Sequence, residues 1–140
     1  MSNFIVTKNK RFFTKIGNYH YCKLEDIILP DTIAVDLETL GLNALTDAVF
    51  SIQIGTGTNN YLIDLQAYDT PLDKGKQIYI EEVLPYLKDK TLVFHNAAFD
   101  IGFLYVKKFF PDNVRDTMLA SKILHNGEPP NVTHGFGAVM

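Results

Sequence analysis

Two acidic side chains stand in an otherwise apolar run, Ile33-Ala-Val-Asp-Leu-Glu-Thr-Leu-Gly-Leu42. Side chains two positions apart in a strand point to the same face, so Asp36 and Glu38 would project together. A divalent cation between them would neutralise their repulsion, and Mg²⁺ prefers carboxylate oxygens as ligands. The alternative is that the strand ends near Val35 and that both acids open a solvated turn at Gly41. This stretch alone is compatible with both interpretations.

A third acid, Asp100, falls in the first turn of a predicted helix that follows a buried strand. An acid at that position also complements the helix dipole without any metal. The crossover rule places the strand before this helix beside an earlier strand, and the strand with Asp36 and Glu38 is the natural neighbour. The three acids could then converge at the carboxyl ends of the strands, where open α/β sheets bind ligands.

Three carboxylates without a Cys or His ligand favour Mg²⁺ or Mn²⁺ over zinc. Two such ions, about 3.5 to 4 Å apart, stabilise the attacking and leaving oxygens of an in-line displacement at phosphorus. The leading chemistry predicted from these residues is therefore hydrolysis of a phosphodiester.

The strands that must position these acids follow from alternating hydrophobic residues and β-branched side chains. The predicted strands are Thr32–Leu37, Val49–Gly55, Tyr61–Leu65 and the short buried strand Thr91–Phe94. The segment Thr56-Gly-Thr-Asn-Asn60 predicts a hairpin turn between the second and the third of them.

Three helices are predicted from near-helical hydrophobic spacing and from stop signals. They cover Lys76–Leu87, with Pro85 disturbing the last turn, then Ala97 to about Phe109, stopped by Pro111, and Asp116–Leu124 with Asp116 as the N-cap. The order is three strands, helix, strand, helix, helix. It predicts an α/β layer with an antiparallel hairpin at its start and a parallel crossover strand.

The composition suits one domain over residues 1–140, since 46% hydrophobic residues suffice for a core. A net charge of -3 argues against a protein that coats nucleic acid non-specifically. The lone Cys22 excludes a disulfide framework and a zinc cluster and indicates a reducing compartment. Without a signal sequence or an apolar stretch of membrane-spanning length, a soluble cytoplasmic protein that makes no membrane contact is expected, in a bacterial or phage-infected cell.

The N-terminal segment is basic and rich in aromatic residues before the first acid, Glu25. The favoured interpretation is an edge hairpin that lysines keep soluble, and the alternative is a ribbon that faces nucleic acid. The basic residues are Lys8, Lys10, Arg11, Lys15 and Lys23, and the aromatic residues include Phe12, Phe13, Tyr19 and Tyr21.

Three motifs occur in order: Asp36-Leu-Glu-Thr with Gly41-Leu42, then Asn96-Ala-Ala-Phe-Asp100, then Asp116-Thr-Met-Leu. From about Tyr19 onwards the chain resembles the DEDD 3′-5′ exonuclease family, most closely the proofreading domain of family A, polymerase I-like DNA polymerases. The resemblance implies a ribonuclease H-like fold and two divalent ions, Mg²⁺ or Mn²⁺. It also implies hydrolysis from the 3′ end of single-stranded DNA, with RNA as a further possible substrate.

The resemblance also implies roles for single residues. Asp36, Glu38 and Asp100 match the first three metal ligands of the family. The matching substrate positions are Thr39 and Leu42, which contact the terminal nucleotide, and Asn96 and Phe99 in the second motif. Leu37 and Leu40 stand where many members have Thr. Asp116 matches a family position that is not a metal ligand, which agrees with its interpretation as a cap, and His95 is expected to be packed or hydrogen-bonded beside the site.

The family's fourth carboxylate belongs to a Tyr-x-x-x-Asp or a His-x(4)-Asp motif on a late helix. After Asp116 the sequence contains no Asp, and its only acid is Glu128. We therefore expect an incomplete metal site with reduced or no activity, either in a fragment of a longer exonuclease or polymerase or in a naturally short relative. The alternative function is a non-catalytic ribonuclease H-like module that binds nucleic acid or a partner protein.

A missing late helix would also leave apolar surface of the sheet uncovered near Asp36. We expect this face to be covered by self-association, by a partner, or by Phe136, Val139 and Met140 from the same chain.

Overall fold

A computed structural model of the chain describes residues 2–8, 19–66 and 77–125. The strands are β1 (Ser2–Val6), β2 (Tyr19–Cys22), β3 (Thr32–Thr39), β4 (Val49–Gly55), β5 (Asn59–Asp64), β6 (Thr91–Phe94) and β7 (Asn113–Asp116). The helices are α1 (Ile80–Leu87), α2 (Ala97–Val106) and α3 (Thr117–Leu124). No helix in these ranges is long and apolar enough to cross a membrane.

The strands form one sheet in the order β2-β1-β5-β4-β3-β6-β7. β4 pairs antiparallel with β3 and with β5, and the other neighbouring strands pair parallel. The parallel pairing of β3 with β6 confirms the predicted crossover. It brings the end of β6, and the start of α2 after it, beside the strand that carries Asp36 and Glu38.

β3 alternates strictly between buried and exposed residues. Ile33, Val35 and Leu37 are buried, whereas Asp36 and Glu38 are exposed on the other side of the strand. The buried residues join one hydrophobic core with the inward side chains of α1 and α2. Because β3 continues to Thr39, the alternative in which the strand ends near Val35 is wrong.

The remaining predicted strands agree with the structure, but the sheet is larger than predicted. β4 and β6 have the predicted bounds, and β4 and β5 form the predicted hairpin. β5 covers Asn59–Asp64 rather than Tyr61–Leu65, because the pairing with β4 continues to Asn60, so the turn is shorter than predicted. Three strands were not predicted: β1, β2 and β7. Each has only 4 or 5 residues, and none shows a clear apolar alternation, so their pairing depends on neighbouring strands distant in sequence.

β1 and β2 do not form the predicted N-terminal edge hairpin with each other, because they pair parallel, with Phe4 opposite His20. Two parallel strands cannot be joined by a tight turn. Lys10, Arg11, Phe12, Phe13 and Lys15 lie outside the described residues.

Two of the three helices are shorter than predicted, and the third agrees with the prediction. α1 begins at Ile80 rather than Lys76, and it continues past Pro85 to Leu87. α2 ends at Val106 rather than near Phe109, because Lys108 takes a left-handed conformation with a φ of 59°. α3 follows Asp116 directly, as predicted, and the Asp116 side chain caps it.

Candidate active site

Asp36 and Glu38 project from the same side of β3, which confirms the geometry predicted from their spacing. Burial raises the pKa of Asp36 above its ordinary value, and a side-chain hydrogen bond with Glu38 opposes that rise. The two carboxyl groups are therefore direct neighbours on the central part of the sheet.

Asp100 reaches this pair from α2. Its side chain is buried, with 3% of the residue exposed, and its Oδ1 accepts a hydrogen bond from the Leu37 N–H at 3.2 Å. The pairing of β3 with β6 ends at Ala34 opposite Val93, so this N–H lies beyond the last paired residue of β6. The Asp100 carboxylate thus accepts a hydrogen bond that a neighbouring strand would otherwise accept. Because Leu37 lies between Asp36 and Glu38 in β3, this contact holds Asp100 close to both acids.

The electrostatics of Asp100 show that the three acids lie close together. Burial raises the pKa of Asp100 to about 7; the hydrogen bond from Leu37 opposes the rise, and the negative charges of Asp36 and Glu38 add to it. Within the described ranges no three His, Cys, Asp or Glu side chains form a ready-made metal cluster. The acids are neighbours with uncompensated negative charge, which a bound divalent cation would neutralise.

The loop after β3 is held by its own polar groups. The Thr39 hydroxyl donates to the Gly41 carbonyl at 2.6 Å, and Asp47 Oδ2 accepts from the Asn43 N–H at 2.8 Å. A Cβ on Gly41 would overlap the Asp47 carboxylate, so a larger residue here would displace that side chain. The loop exposes 85% of Leu42 to solvent next to the acids of β3.

The turn between β6 and α2 carries the residues of the second motif. Asn96 is left-handed, with φ 65° and ψ 61°, a conformation that Asn tolerates better than most residues. Phe99 is half-buried, and its ring centroid lies 5.2 Å from that of Phe103. His95 Nδ1 lies 2.8 Å from the Thr117 hydroxyl, as expected for a hydrogen-bonded residue beside the site.

Asp116 caps two helices rather than one. Its Oδ1 accepts from the amides of Met118 and Leu119 in α3, at 2.9 and 3.3 Å. The same carboxylate accepts from the amides of Asn96 and Ala97 at the start of α2, at 3.0 and 2.9 Å. Burial raises the pKa of Asp116, but these four hydrogen bonds outweigh it and hold the pKa below its ordinary value.

The sequence predicted the cap of α3 but gave no sign of the cap of α2. An N-cap is recognised from residues within the next turn, whereas Asp116 lies 20 residues from Asn96. Only the pairing of Phe94 with Asp116 in the sheet brings the two together.

A family model described as 3′-5′ exonuclease matches residues 10–137. The chain belongs to this family. The DNA polymerase I of Aquifex aeolicus (strain VF5) is 33% identical to the exonuclease chain over 90 residues, which are 64% of this chain and 13% of that protein. The exonuclease chain therefore spans only a small part of that relative.

Solved nuclease structures share the fold. The Brucella melitensis NrnC structure with bound Mg²⁺ has a TM-score of 0.60 and 25% identity, covering 97% of this chain and 58% of NrnC. The catalytic core of Trypanosoma brucei RRP6 has a TM-score of 0.50 and 24% identity, covering 68% of this chain and 25% of that one. These likenesses confirm the predicted ribonuclease H-like α/β fold.

The structure brings the three predicted acids together, and the roles of all predicted site residues stay predictions. Asp36, Glu38 and Asp100 are neighbours, while Thr39 ends β3 and Leu42 lies in the loop after it. Asn96 precedes α2, and Phe99 lies in its first turn. Glu128, Phe136, Val139 and Met140 lie outside the described residues.

Proposed function

We propose that the chain is a metal-dependent 3′-5′ exonuclease of reduced activity that hydrolyses phosphodiester bonds at the 3′ end of single-stranded DNA. The observation that carries this proposal is the buried Asp100 carboxylate held beside Asp36 and Glu38. Such an arrangement destabilises the metal-free protein, because the buried Asp100 carboxylate lies beside two further negative charges. It is the arrangement expected of a site that acts with a cation in place.

The donor set fits Mg²⁺ or Mn²⁺, and Asp36, Glu38 and Asp100 would hold the ions. Carboxylate oxygens are the preferred ligands of these hard cations, and the Mg²⁺ in the NrnC structure supports the assignment by family likeness. When bound, two such ions would activate the attacking water and stabilise the leaving oxygen. The Leu37 N–H keeps Asp100 oriented, since it occupies Oδ1 and leaves Oδ2 for a ligand.

Four residues near the acids in sequence are proposed to contact the substrate. Exposed Leu42 and half-buried Phe99 offer apolar surface to the terminal base, and an aromatic platform contributes about 1 to 3 kcal/mol per stacked base. Thr39 donates its hydroxyl proton to Gly41, so its oxygen remains an acceptor for a sugar hydroxyl. Asn96 carries an exposed side-chain amide at the turn before α2.

The match to DNA polymerase I supports DNA as the substrate and a polymerase domain in a longer parent chain as the partner. RNA is the second substrate to test, because an NrnC structure contains pGG. A matched pair of DNA and RNA oligonucleotides of one sequence separates the two substrates.

The test is incubation of the purified chain and Mn²⁺ with 5′-labelled single strands that carry a free or a blocked 3′ end. We expect slow, stepwise shortening of the free strand only, because after Asp116 the sequence has no Asp to supply the family's fourth carboxylate. Digestion should be lost in EDTA and in Asp36→Ala. The control variant is Asp112→Ala, which removes an exposed acid elsewhere. Cleavage inside the blocked strand would contradict the exonuclease assignment. Binding of the strand without any cleavage would favour the non-catalytic nucleic-acid-binding module instead.

A further inference from the structure

Two turns of the fold are joined side by side at the carboxyl end of the sheet. The first, residues 94–97, leads from β6 into α2, and the second, residues 116–119, leads from β7 into α3. Phe94 pairs with Asp116 in the parallel register of β6 and β7. The Thr117 hydroxyl adds a contact to the Phe94 carbonyl at 3.3 Å. The end of β6 is thereby fixed to the start of α3.

The Asp116 carboxylate is the centre of this junction. It accepts two amides from the first turn and two from the second, all within 3.3 Å. The Asn96 side chain makes no capping hydrogen bond to α2. Asp116 therefore provides α2 with a side-chain cap from another element.

The left-handed Asn96 makes α2 dependent on this cap. Asn tolerates a φ of 65° better than most residues, but the conformation is still less favourable than a right-handed one and is helped by contacts that hold it. Here the Asn96 N–H donates to Asp116 Oδ1 at 3.0 Å. Loss of the carboxylate frees this amide and the Ala97 amide and removes the contacts that keep the turn in this conformation.

The position of α2 matters because Asp100 lies in its first turn. Asp100 Oδ1 meets the Leu37 N–H at 3.2 Å, near the limit of a hydrogen bond, so a small shift of the helix breaks that contact. Asp116 itself has its carboxylate engaged by four amides, which makes it a poor ligand for an ion.

We infer that Asp116 is a positioning residue: by capping α2 across the sheet, it sets Asp100 in place for the divalent ions. The inference rests on the proposed function for its metal, but the position of Asp100 is measurable without metal. Groups that orient metal ligands in this way typically change metal affinity or activity by about 10- to 100-fold when removed.

The test compares the wild-type chain with Asp116→Ala, Asp116→Asn and the control Glu82→Ala. Glu82 is a matched acid, because its Oε2 accepts the Tyr79 N–H at 2.7 Å at the start of α1, which carries none of the three site acids. Mn²⁺ affinity is measured by calorimetric titration well below the melting temperature of each variant. Hydrogen exchange of the Leu37 amide is measured by NMR in EDTA, with the β4 amides as the reference.

We expect Asp116→Ala to bind Mn²⁺ about 10- to 100-fold more weakly than the wild type. The substitution should also speed the exchange of the Leu37 amide more than that of the β4 reference amides. Asp116→Asn should fall between it and the wild type, since Oδ1 can still accept from three of the four amides. Should Asp116→Ala fail to fold, Asp116→Asn decides. Glu82→Ala should lower the melting temperature while leaving both other readouts unchanged.

Unchanged Leu37 exchange and unchanged Mn²⁺ affinity in folded Asp116 variants would overturn the inference. Faster Leu37 exchange in a chain whose wild type binds no Mn²⁺ would support the positioning of Asp100 and would count against the proposed function alone. A fall in Mn²⁺ affinity as large in Glu82→Ala would overturn the inference too, because it would make the effect one of general stability.

Discussion

Asp100 is a buried acid of the candidate site whose negative charge destabilises the folded chain. Its carboxyl is buried beside two other acids, and its pKa is raised to about 7 by burial and by the charges of Asp36 and Glu38. An acid whose pKa rises on folding favours the folded state only while it is protonated. Its contribution is lost as the pH rises from about the ordinary value of 3.8 through about 7.

We therefore predict that Asp100→Asn stabilises the metal-free chain at pH 8, by on the order of 2 kcal/mol. Asn keeps an oxygen for the Leu37 N–H but carries no charge. The measurement is denaturant unfolding in EDTA at pH 4 and pH 8, with the exposed Asp112→Asn as the control. No gain in unfolding free energy at pH 8, or an equal gain at pH 4 and pH 8, would show that the charge of Asp100 does not destabilise the folded chain.

Leu42 is proposed to contact the substrate, and with 85% of it exposed it contributes little to packing. We predict that Leu42→Ala weakens binding of a short single-stranded oligonucleotide several-fold while changing the unfolding free energy by less than about 0.5 kcal/mol. Fluorescence anisotropy with Ca²⁺ in place of Mn²⁺ measures binding without digestion. Ile28→Ala, at 81% exposure, is the control.

Phe99→Ala should differ from Leu42→Ala, because the Phe99 ring packs against Phe103. It should weaken binding and also lower stability. Equal binding by wild type, Leu42→Ala and Phe99→Ala would mean that these side chains do not touch the substrate.

At the scale of elements, the loop after β3 is shaped by a close approach of Gly41 to Asp47. We predict that Gly41→Ala costs about 1 to 3 kcal/mol of stability, because its Cβ would displace the Asp47 carboxylate from the Asn43 N–H. The matched control is Gly55→Ala, whose Cβ would meet its neighbours only at 3.5 Å or more. In an Asp47→Ala background the cost should shrink. A loss of stability of the same size in the Asp47→Ala background would show that it arises from the backbone at Gly41 and not from the contact with Asp47.

Asp116 makes the stability of the α2 and α3 starts depend on pH. The pKa of Asp116 is lowered on folding, because its four backbone hydrogen bonds outweigh the effect of burial. Its stabilisation is thus present above the unfolded pKa and is lost as the pH falls through the lower, folded pKa.

We predict that Asp116→Asn lowers the unfolding free energy by about 1 to 2 kcal/mol at pH 7 and by much less near pH 2. The measurement is urea unfolding across this range, with wild type and variant compared at each pH. A difference of the same size at both ends would indicate that the charge of Asp116 is not what stabilises the two helix starts.

At the scale of the whole molecule, the metal and the fold should be thermodynamically linked. An ion that binds only the folded chain stabilises it by about 2.7 kcal/mol at 100 times its dissociation constant. We predict that Mn²⁺ raises the melting temperature and that EDTA reverses the rise. Asp36→Ala should lose most of this effect, because a carboxylate on the central strand is best placed to bridge two ions. An equal rise in Asp36→Ala would place the ion elsewhere.

Much of this molecule was determined by local sequence. The alternation of Ile33, Val35 and Leu37 with polar residues defines β3 and puts Asp36 and Glu38 on one side. Capping chemistry defines the start of α3 at Asp116. The motif order also indicated the family, and the match over residues 10–137 confirms it.

Tertiary structure decided what local patterns cannot encode. β1, β2 and β7 are too short to show a period, and their strand character comes from neighbours that are distant along the chain. The burial of Asp100 against Leu37 and the capping of α2 by Asp116 both depend on the parallel pairing of β3, β6 and β7. Side-chain types and spacing fix what each residue is able to do, but the pKa of a carboxyl and the helix that it caps depend on which strands lie side by side.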